Sequence, residues 1–240
     1  TCFLTDTLHC HLLIGPPASG KSRLAQRLAV SLGATVISTD AIRAQLWGSE
    51  QFQGDWAAIE ERLDHGIRSS LKKRTPVIVD ATHARRQWRE RQLQISDIPE
   101  NVSWIGWWLQ TPLDVCLHWN TTRPRHVPED VILTLAASLS DPLEQPTQHE
   151  GFDLIMTINP AAEDLDQQID AAISRITETG AVQFILVLAS MGLKENEKKR
   201  KICVVLPMIN KTFETIYRQL LRGILLAEYL WKSTTVKRIH

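Results

Sequence analysis

One stretch near the start of the chain has residue types and a spacing suited to holding phosphate groups. It fits the pattern G-x-x-x-x-G-K-[ST] at every fixed position and consists of Gly15, Pro16, Pro17, Ala18, Ser19, Gly20, Lys21 and Ser22. Small residues let backbone N–H groups point inward at an anion, and a helix N-terminus behind them meets its negative charge. In such a loop the lysine reaches the β- and γ-phosphates, and the final hydroxyl ligates Mg²⁺. The pattern predicts a nucleoside-triphosphate site, and a chance glycine-rich turn is the alternative.

The segments on either side of this loop favour the phosphate-binding interpretation. An apolar run over residues 11–14 precedes the loop and predicts a buried strand. The stretch after the loop, 19–32, predicts a helix that Gly33 ends, because its leucines recur every fourth residue. A strand that leads into the loop and a helix that leaves it are the structural context that such a motif requires.

Asp40 follows a second predicted strand, over residues 35–39. Functional residues of parallel sheets collect at the carboxyl ends of the strands. A carboxylate there can take a proton from an acceptor hydroxyl, and Arg43, one helical turn later, can hold an anionic acceptor. The alternative is that Asp40 serves only as the N-cap of the following helix.

Asp80 ends a third predicted strand, over residues 76–80. An apolar strand that terminates in aspartate suits the position that holds Mg²⁺ or its water shell. The alternative is that Asp80 caps the helix predicted over 85–93. His83, nearby, is expected to be a loop or acceptor-cleft residue rather than a base.

Two arginines lie on a connection between predicted helices over 112–119 and 128–139. Arg123 and Arg125 could close over a triphosphate and stabilise the charge that develops on a transferred phosphoryl group. A solvated basic loop is the alternative.

Two further clusters have less specific patterns. The first is a cluster of tryptophans, for which core packing is favoured over base stacking: Trp104, Trp107, Trp108 and Trp119. The second is a cluster of arginines that forms either a solvated or an anion-contacting helix face: Arg85, Arg86, Arg89 and Arg91.

The rest of the first 180 residues alternates strand-like with helix-like segments. Further helices are predicted over 55–73 and 161–176, and further strands over 102–109 and 154–158. Strands separated by helices pair in parallel through right-handed crossovers. The fold expected is therefore a three-layer α/β sandwich with a five-stranded parallel sheet.

Charge is distributed unevenly along a chain that is neutral as a whole. Lys and Arg number 27, as do Asp and Glu, but residues 1–180 have a balance of −7 and residues 181–240 a balance of +7. We therefore predict a nucleotide-binding domain over 1–180 and a basic extension of unknown role over 181–240.

Other features of the sequence bear on the compartment. The four cysteines form no C-x-x-C pair, which favours a reducing compartment. The first residues do not resemble a secretory signal, and the longest apolar run, 184–193, is shorter than a membrane span. A cytoplasmic protein with no membrane partner is expected.

Over residues 9–160 the chain resembles the P-loop kinase family that includes the kinase domain of polynucleotide 5′-kinases. Zeta-toxin-like proteins, AAA-type ATP-binding proteins and small-metabolite kinases are more distant members. The motifs that carry the resemblance are Gly15–Ser22, Asp40-x-x-Arg43, Val79-Asp80-Ala81-Thr82, and Asn120-x-x-Arg123 followed by Val127-Pro128-Glu129-x-Val131-Ile132. The chain departs from the family in the Pro-Pro-Ala-Ser loop interior and in Trp119, where an arginine often stands.

The resemblance implies a P-loop NTPase fold and an ATP- and Mg²⁺-dependent kinase. Asp40 would activate the acceptor hydroxyl, and Arg123, with Arg125, would contact the donor phosphates. The acceptor expected is a nucleic-acid 5′-end or a nucleotide-like molecule. The alternatives are a small-metabolite kinase and a regulatory ATP-binding module with little turnover.

Overall fold

A five-stranded sheet forms the centre of the fold. The structure, a computed structural model, describes residues 7–124 and 126–190, with side chains described as far as residue 177. The strands are β1 (Leu8–Ile14), β2 (Thr35–Ser38), β3 (Val77–Asp80), β4 (Val102–Leu109) and β5 (Leu154–Ile158). Their order across the sheet is β2-β3-β1-β4-β5, and every pairing is parallel. The predicted five-stranded parallel sheet is confirmed.

Helices connect the strands. They are α1 (Lys21–Leu32), α2 (Thr39–Trp47), α3 (Trp56–Lys72), α4 (Arg86–Leu93), α5 (Leu113–Thr122), α6 (Glu129–Ser140) and α7 (Leu165–Ser190), with a short 3-10 turn at Gln148–Glu150. The last helix differs from the prediction of 161–176. It begins later because Asn159 Oδ1 accepts the N–H of Ala161 in a turn. It continues through Gly180, since a single glycine lowers helix propensity without ending a helix.

The core forms where an amphipathic helix meets alternating residues of the sheet. The buried stripe of α3 is Ile59, Leu63, Ile67 and Leu71, and it belongs to one apolar cluster with Leu8, Cys10, Leu12 and Ile14 of β1. Successive residues of a strand point to opposite faces. The remaining residues of β1 therefore face the other side of the sheet, where α1 buries Leu24 and Leu28. A sheet covered on both faces is the three-layer arrangement that the sequence predicts.

The tryptophans of β4 belong to the core, as predicted. Trp104 and Trp107 are buried, and Trp108 packs against the apolar cluster. The Trp107 indole N–H is satisfied because it donates to His11 Nδ1 at 3.0 Å.

The sheet and the elements that carry the site form one compact unit, Asp6–Ala172. The rest of α7 belongs to a second unit. From residue 191 onward, the predicted basic extension lies outside the described residues. Among the described helices, none is long and apolar enough to cross a membrane.

Candidate active site

The predicted phosphate-binding loop joins β1 to α1 and curls around its own lysine. Positive φ angles of 61° at Ala18 and 93° at Gly20 give the curvature that forms an anion-binding concavity. Lys21 Nζ donates to the carbonyl oxygens of Gly15 at 3.0 Å and Pro16 at 2.6 Å. Glycine is required at position 15, since a Cβ there would lie 2.7 Å from Ser19 Oγ. The lysine ammonium thus occupies the loop from which it would meet a phosphate.

The electrostatics of Lys21 link it to the other predicted residues. Burial lowers the pKa of Lys21 to about 8, because the charged ammonium loses its hydration. The negative charges of Asp80 and Asp40 raise the pKa of Lys21, and the positive charge of Arg123 lowers it further. The phosphate-binding lysine, both predicted carboxylates and the predicted lid arginine therefore lie within electrostatic range of one another.

Asp80 and Ser22, the two residues predicted to hold magnesium, contact each other. Asp80 is the last residue of β3, and its carboxylate accepts a hydrogen bond from the Ser22 side chain. Burial raises the pKa of Asp80, while Ser22 and Lys21 oppose the rise. Asp80 is not the cap of α4, because that helix has Arg85 at its N-cap.

This pair fits a magnesium ion that is shared with a ligand. In the described part of the chain, no group of three or more His, Cys, Asp or Glu side chains could hold a metal. Mg²⁺ usually takes one or two protein oxygens and completes its shell with phosphates and water. A hydroxyl and a carboxylate beside a phosphate-binding loop supply such a donor set.

Asp40 and Arg43 form an ion pair at the start of α2. Arg43 Nη1 donates to Asp40 Oδ1 at 2.8 Å. The N-cap of α2 is Ser38, whose side chain accepts the N–H of Ala41, so the interpretation of Asp40 as an N-cap is wrong. Ser38 pairs in register with Asp80, and this pairing brings the two strand ends that carry the carboxylates side by side.

Arg123 lies at the end of α5, on a connection whose two ends are joined by hydrogen bonds of the Asn120 side chain. The Asn120 side chain donates to Val127 O at 2.8 Å and accepts the N–H of Val127 at 3.0 Å. Asn120 is buried, while Arg123 is half-buried and lines the cleft described below. The predicted contact of Arg125 lies outside the described residues.

Most of the predicted residues line one cleft of about 820 Å³ at the carboxyl ends of the strands. This volume falls in the upper part of the range for ligand sites, roughly 300–1,000 Å³. The predicted residues in its wall are Pro17, Ala18, Gly20, Lys21, Ser22, Asp40, Arg43, Asp80 and Arg123. Gly15 and Pro16 contribute carbonyls to Lys21, and Ser19 is buried within the loop.

Trp119 differs from the other predicted core tryptophans. It is half-buried on α5, lines the cleft, and also lines a second cavity of about 240 Å³ beside the loop. The second cavity is bordered by Gly20, Arg23, Arg27 and Pro160 as well. A Cβ added to Gly20 would lie 3.1 Å from Pro160 and 3.4 Å from the Trp119 ring. Trp119 and Pro160 thus stand together over the phosphate-binding loop, and spacing in the sequence could not reveal this proximity.

The predicted arginine cluster is divided between surface and interior, because Arg85 and Arg91 are exposed, as a solvated face requires, whereas Arg89 is not. Arg89 is fully buried in a bidentate ion pair with Glu150, at 2.6 and 2.9 Å. Its Nη1 donates to the carbonyl of His83, and Arg91 pairs with Glu60.

Burial lowers the pKa of His83 to about 4, so this histidine is neutral and unsuited to act as a base at neutral pH.

The cleft also contains residues that the sequence did not single out. They include Trp56 at the start of α3, Trp88 on α4, and Leu63 and Leu135. The sequence contained only a weak indication that Trp56 lines a site: it is a large apolar residue at the start of α3 that does not belong to the buried stripe of that helix.

The sheet order, the loop and the carboxylates at the strand ends define a P-loop kinase-like domain. Residues 10–142 match the AAA domain family, and the chain belongs to this family. The predicted resemblance to P-loop kinases is confirmed. No curated protein matches the chain significantly.

Solved structures share the fold at low sequence identity. The chain is similar to a gluconokinase from Sinorhizobium meliloti 1021, with a TM-score of 0.50 and 19% identity over 75% of this chain and 98% of that one. It is also similar to a chain of the Pnkp1/Rnl/Hen1 RNA repair complex, with a TM-score of 0.50 and 18% identity. That match covers 56% of this chain and 44% of the repair protein, so the chain spans less than half of its length.

Proposed function

We propose that the protein is an ATP-dependent phosphotransferase that moves the γ-phosphoryl group to a hydroxyl-bearing acceptor. The observation that carries the proposal is that Asp40 lines the same cleft as Lys21, Ser22 and Asp80. Phosphate-binding residues alone would suit any nucleotide-binding module. A further carboxylate in the same cleft adds the group that a kinase needs for its acceptor.

The donor side of the cleft is suited to a nucleoside triphosphate. Lys21 neutralises the β- and γ-phosphates, and Arg123 approaches them from the end of α5. The smaller cavity beside Trp119 and Pro160 offers flat apolar surfaces to the nucleobase. Arg125 is proposed as a second contact to the donor phosphates. Together these groups hold the triphosphate with its γ-phosphorus directed into the cleft.

Ser22 and Asp80 would hold Mg²⁺ together with the phosphate oxygens. The ion, when bound, would neutralise charge on the β- and γ-phosphates. The hydrogen bond between the two side chains orients both donors before any ligand is present.

Asp40 supplies the base on the acceptor side. The acceptor oxygen forms a bond to the γ-phosphorus as the bond from that phosphorus to the β–γ bridging oxygen breaks, and ADP leaves. The hydroxyl proton passes to the Asp40 carboxylate. Arg43 orients that carboxylate through their 2.8 Å ion pair and presents positive charge to an anionic acceptor. A nucleic-acid 5′-end or a nucleotide-like molecule fits this combination.

The cysteines support a cytoplasmic location for this activity. Cys10 and Cys116 are both free and buried. Free thiols are typical of reducing compartments.

The proposal is tested by Asp40→Asn in a screen of ATP turnover against nucleic-acid 5′-ends, nucleosides, sugars and small alcohols. We expect turnover on the best acceptor to fall roughly 10²- to 10⁴-fold, the range for loss of a general base. ATP affinity should be nearly unchanged, and α2 should remain folded because Ser38 caps it.

Asp130→Asn is the matched control, since Asp130 is exposed on α6 and does not line the cleft. Wild-type turnover in Asp40→Asn would remove Asp40 from the chemistry. ATP binding without transfer to any acceptor would instead favour the regulatory ATP-binding module.

A further inference from the structure

Two tryptophans that line the cleft expose much of their surface. Trp56 is 48% exposed at the first turn of α3, and Trp88 is 42% exposed on α4. They come from different elements, and both line the cleft that contains Asp40. Single exposed apolar residues are common on protein surfaces. Trp56 and Trp88, by contrast, line the same cleft, so both can contact one ligand.

The lining of the cleft includes further apolar side chains that suit a flat apolar group. Leu63, Val131 and Leu135 line the same cleft, together with polar residues such as Gln87 and Gln92. The guanidinium of Arg85 lies 5.6 Å from the centre of the Trp88 ring, a distance at which a cation stabilises the orientation of an indole.

A charged group completes the acceptor side. Arg43 is 12% exposed, and only part of its guanidinium is used by Asp40. Its Nε is buried and has no hydrogen-bond partner among the described residues. A buried donor of this kind requires an acceptor atom, which the anionic group of a ligand would supply. A ligand that uses all of these residues would have a hydroxyl for Asp40, an anionic group for Arg43 and a planar ring for the two tryptophans.

We propose that Trp56 and Trp88 form a stacking site that selects acceptors with a nucleobase-like ring. This inference rests on the proposed function, because it concerns the acceptor of that same site. It assigns two specificity-determining residues outside the matched motifs. One base–aromatic stack is expected to strengthen binding roughly 5- to 150-fold.

The test compares two ligands that differ only in the ring. Thymidine 3′-monophosphate and 1,2-dideoxyribose 3-phosphate, which has hydrogen in place of the base, are titrated calorimetrically into the full chain in the presence of a non-hydrolysable ATP analogue. We expect the wild type to bind the ring-bearing ligand more tightly, by roughly the 5- to 150-fold value of one stack. Trp56→Leu and Trp88→Leu should each reduce this preference without changing the affinity for the ring-free ligand. Trp88→Phe should retain most of it, since phenylalanine keeps an aromatic face.

The control is Phe52→Leu, because Phe52 is 55% exposed, packs on Trp47 and does not line the cleft. Equal affinities for the two ligands in the wild type, no binding of either, or a preference that survives in the double leucine variant would each overturn the inference. A tryptophan-dependent preference without any phosphoryl transfer would support the stacking site and reject the proposed kinase activity. The two failures are therefore distinguishable.

Discussion

Neutralising one member of the Arg89–Glu150 pair should destabilise the fold more than any exposed charge change. Both side chains are 0% exposed. The Glu150 carboxylate accepts Arg89 Nε at 2.6 Å, Arg89 Nη2 at 2.9 Å and the N–H of Thr147 at 3.0 Å. Glu150→Gln keeps the shape of the side chain while removing its charge and one of its two acceptor oxygens.

The size of the effect follows from these contacts. The variant loses at least one charge-assisted hydrogen bond, each worth about 1.5–3 kcal/mol. It also leaves the Arg89 guanidinium buried without a counter-charge, and breaking such a pair costs about 3–5 kcal/mol. Arg89 keeps its bonds to the carbonyls of His83 at 3.1 Å and Glu144 at 2.7 Å. We therefore expect a loss at the lower end, about 3 kcal/mol of unfolding free energy.

Urea unfolding followed by tryptophan fluorescence measures this loss. With a slope of about 2 kcal/mol per molar urea, the midpoint should fall by about 1.5 M. Asp166→Asn is the matched control, because its ion pair with Arg27 is exposed, at 77% and 38%. An exposed pair of this kind contributes at most about 1 kcal/mol.

The pair also supports the turn that follows β3. Arg89 holds the carbonyl of His83, and the carbonyl of Thr82 accepts the N–H of Gly15 in the phosphate-binding loop at 3.1 Å. The ATP affinity of Glu150→Gln should therefore fall as well. A midpoint shift no larger than that of Asp166→Asn, with an unchanged slope, would refute the reasoning. Replacing both partners by Arg89→Met with Glu150→Leu should recover much of the loss, because no charge is then left buried.

Lys21→Ala should abolish tight ATP binding while the chain stays folded, as measured by titration and circular dichroism; unchanged affinity would contradict the role of the loop. Because the pKa of Lys21 is about 8 and only the protonated ammonium neutralises phosphate, loss of the Lys21 charge should not weaken ATP binding below pH 8. Above pH 8 ATP affinity should fall by up to about tenfold per pH unit, and a flat profile would contradict this. A chain ended at Gly180, the proposed domain boundary, should stay folded and bind ATP, because the site lies within Asp6–Ala172. Aggregation or lost ATP binding would show that later residues complete the core.

The local features of the sequence determined the loop, the strands that lead to it and both carboxylates. The run over 11–14, the glycines of Gly15–Ser22 and the aspartates at two strand ends act through near neighbours in the chain. Their backbone conformation depends on residues a few positions away, so spacing alone could predict the elements on which they lie. The bounds of α7 were wrong, because the Asn159 turn and a tolerated Gly180 set them.

Only the tertiary structure decided which side chains from distant parts of the sequence meet. Arg89 and Glu150 are 61 residues apart, and a pattern of four arginines on a helix contains no sign of the buried partner. Trp119 reaches Pro160 over Gly20, and Trp56 and Trp88 line one cleft from α3 and α4. The strand order β2-β3-β1-β4-β5 brings these elements together at one edge of the sheet. Such contacts depend on the order in which strands pair, which the chain settles only when its whole core is buried.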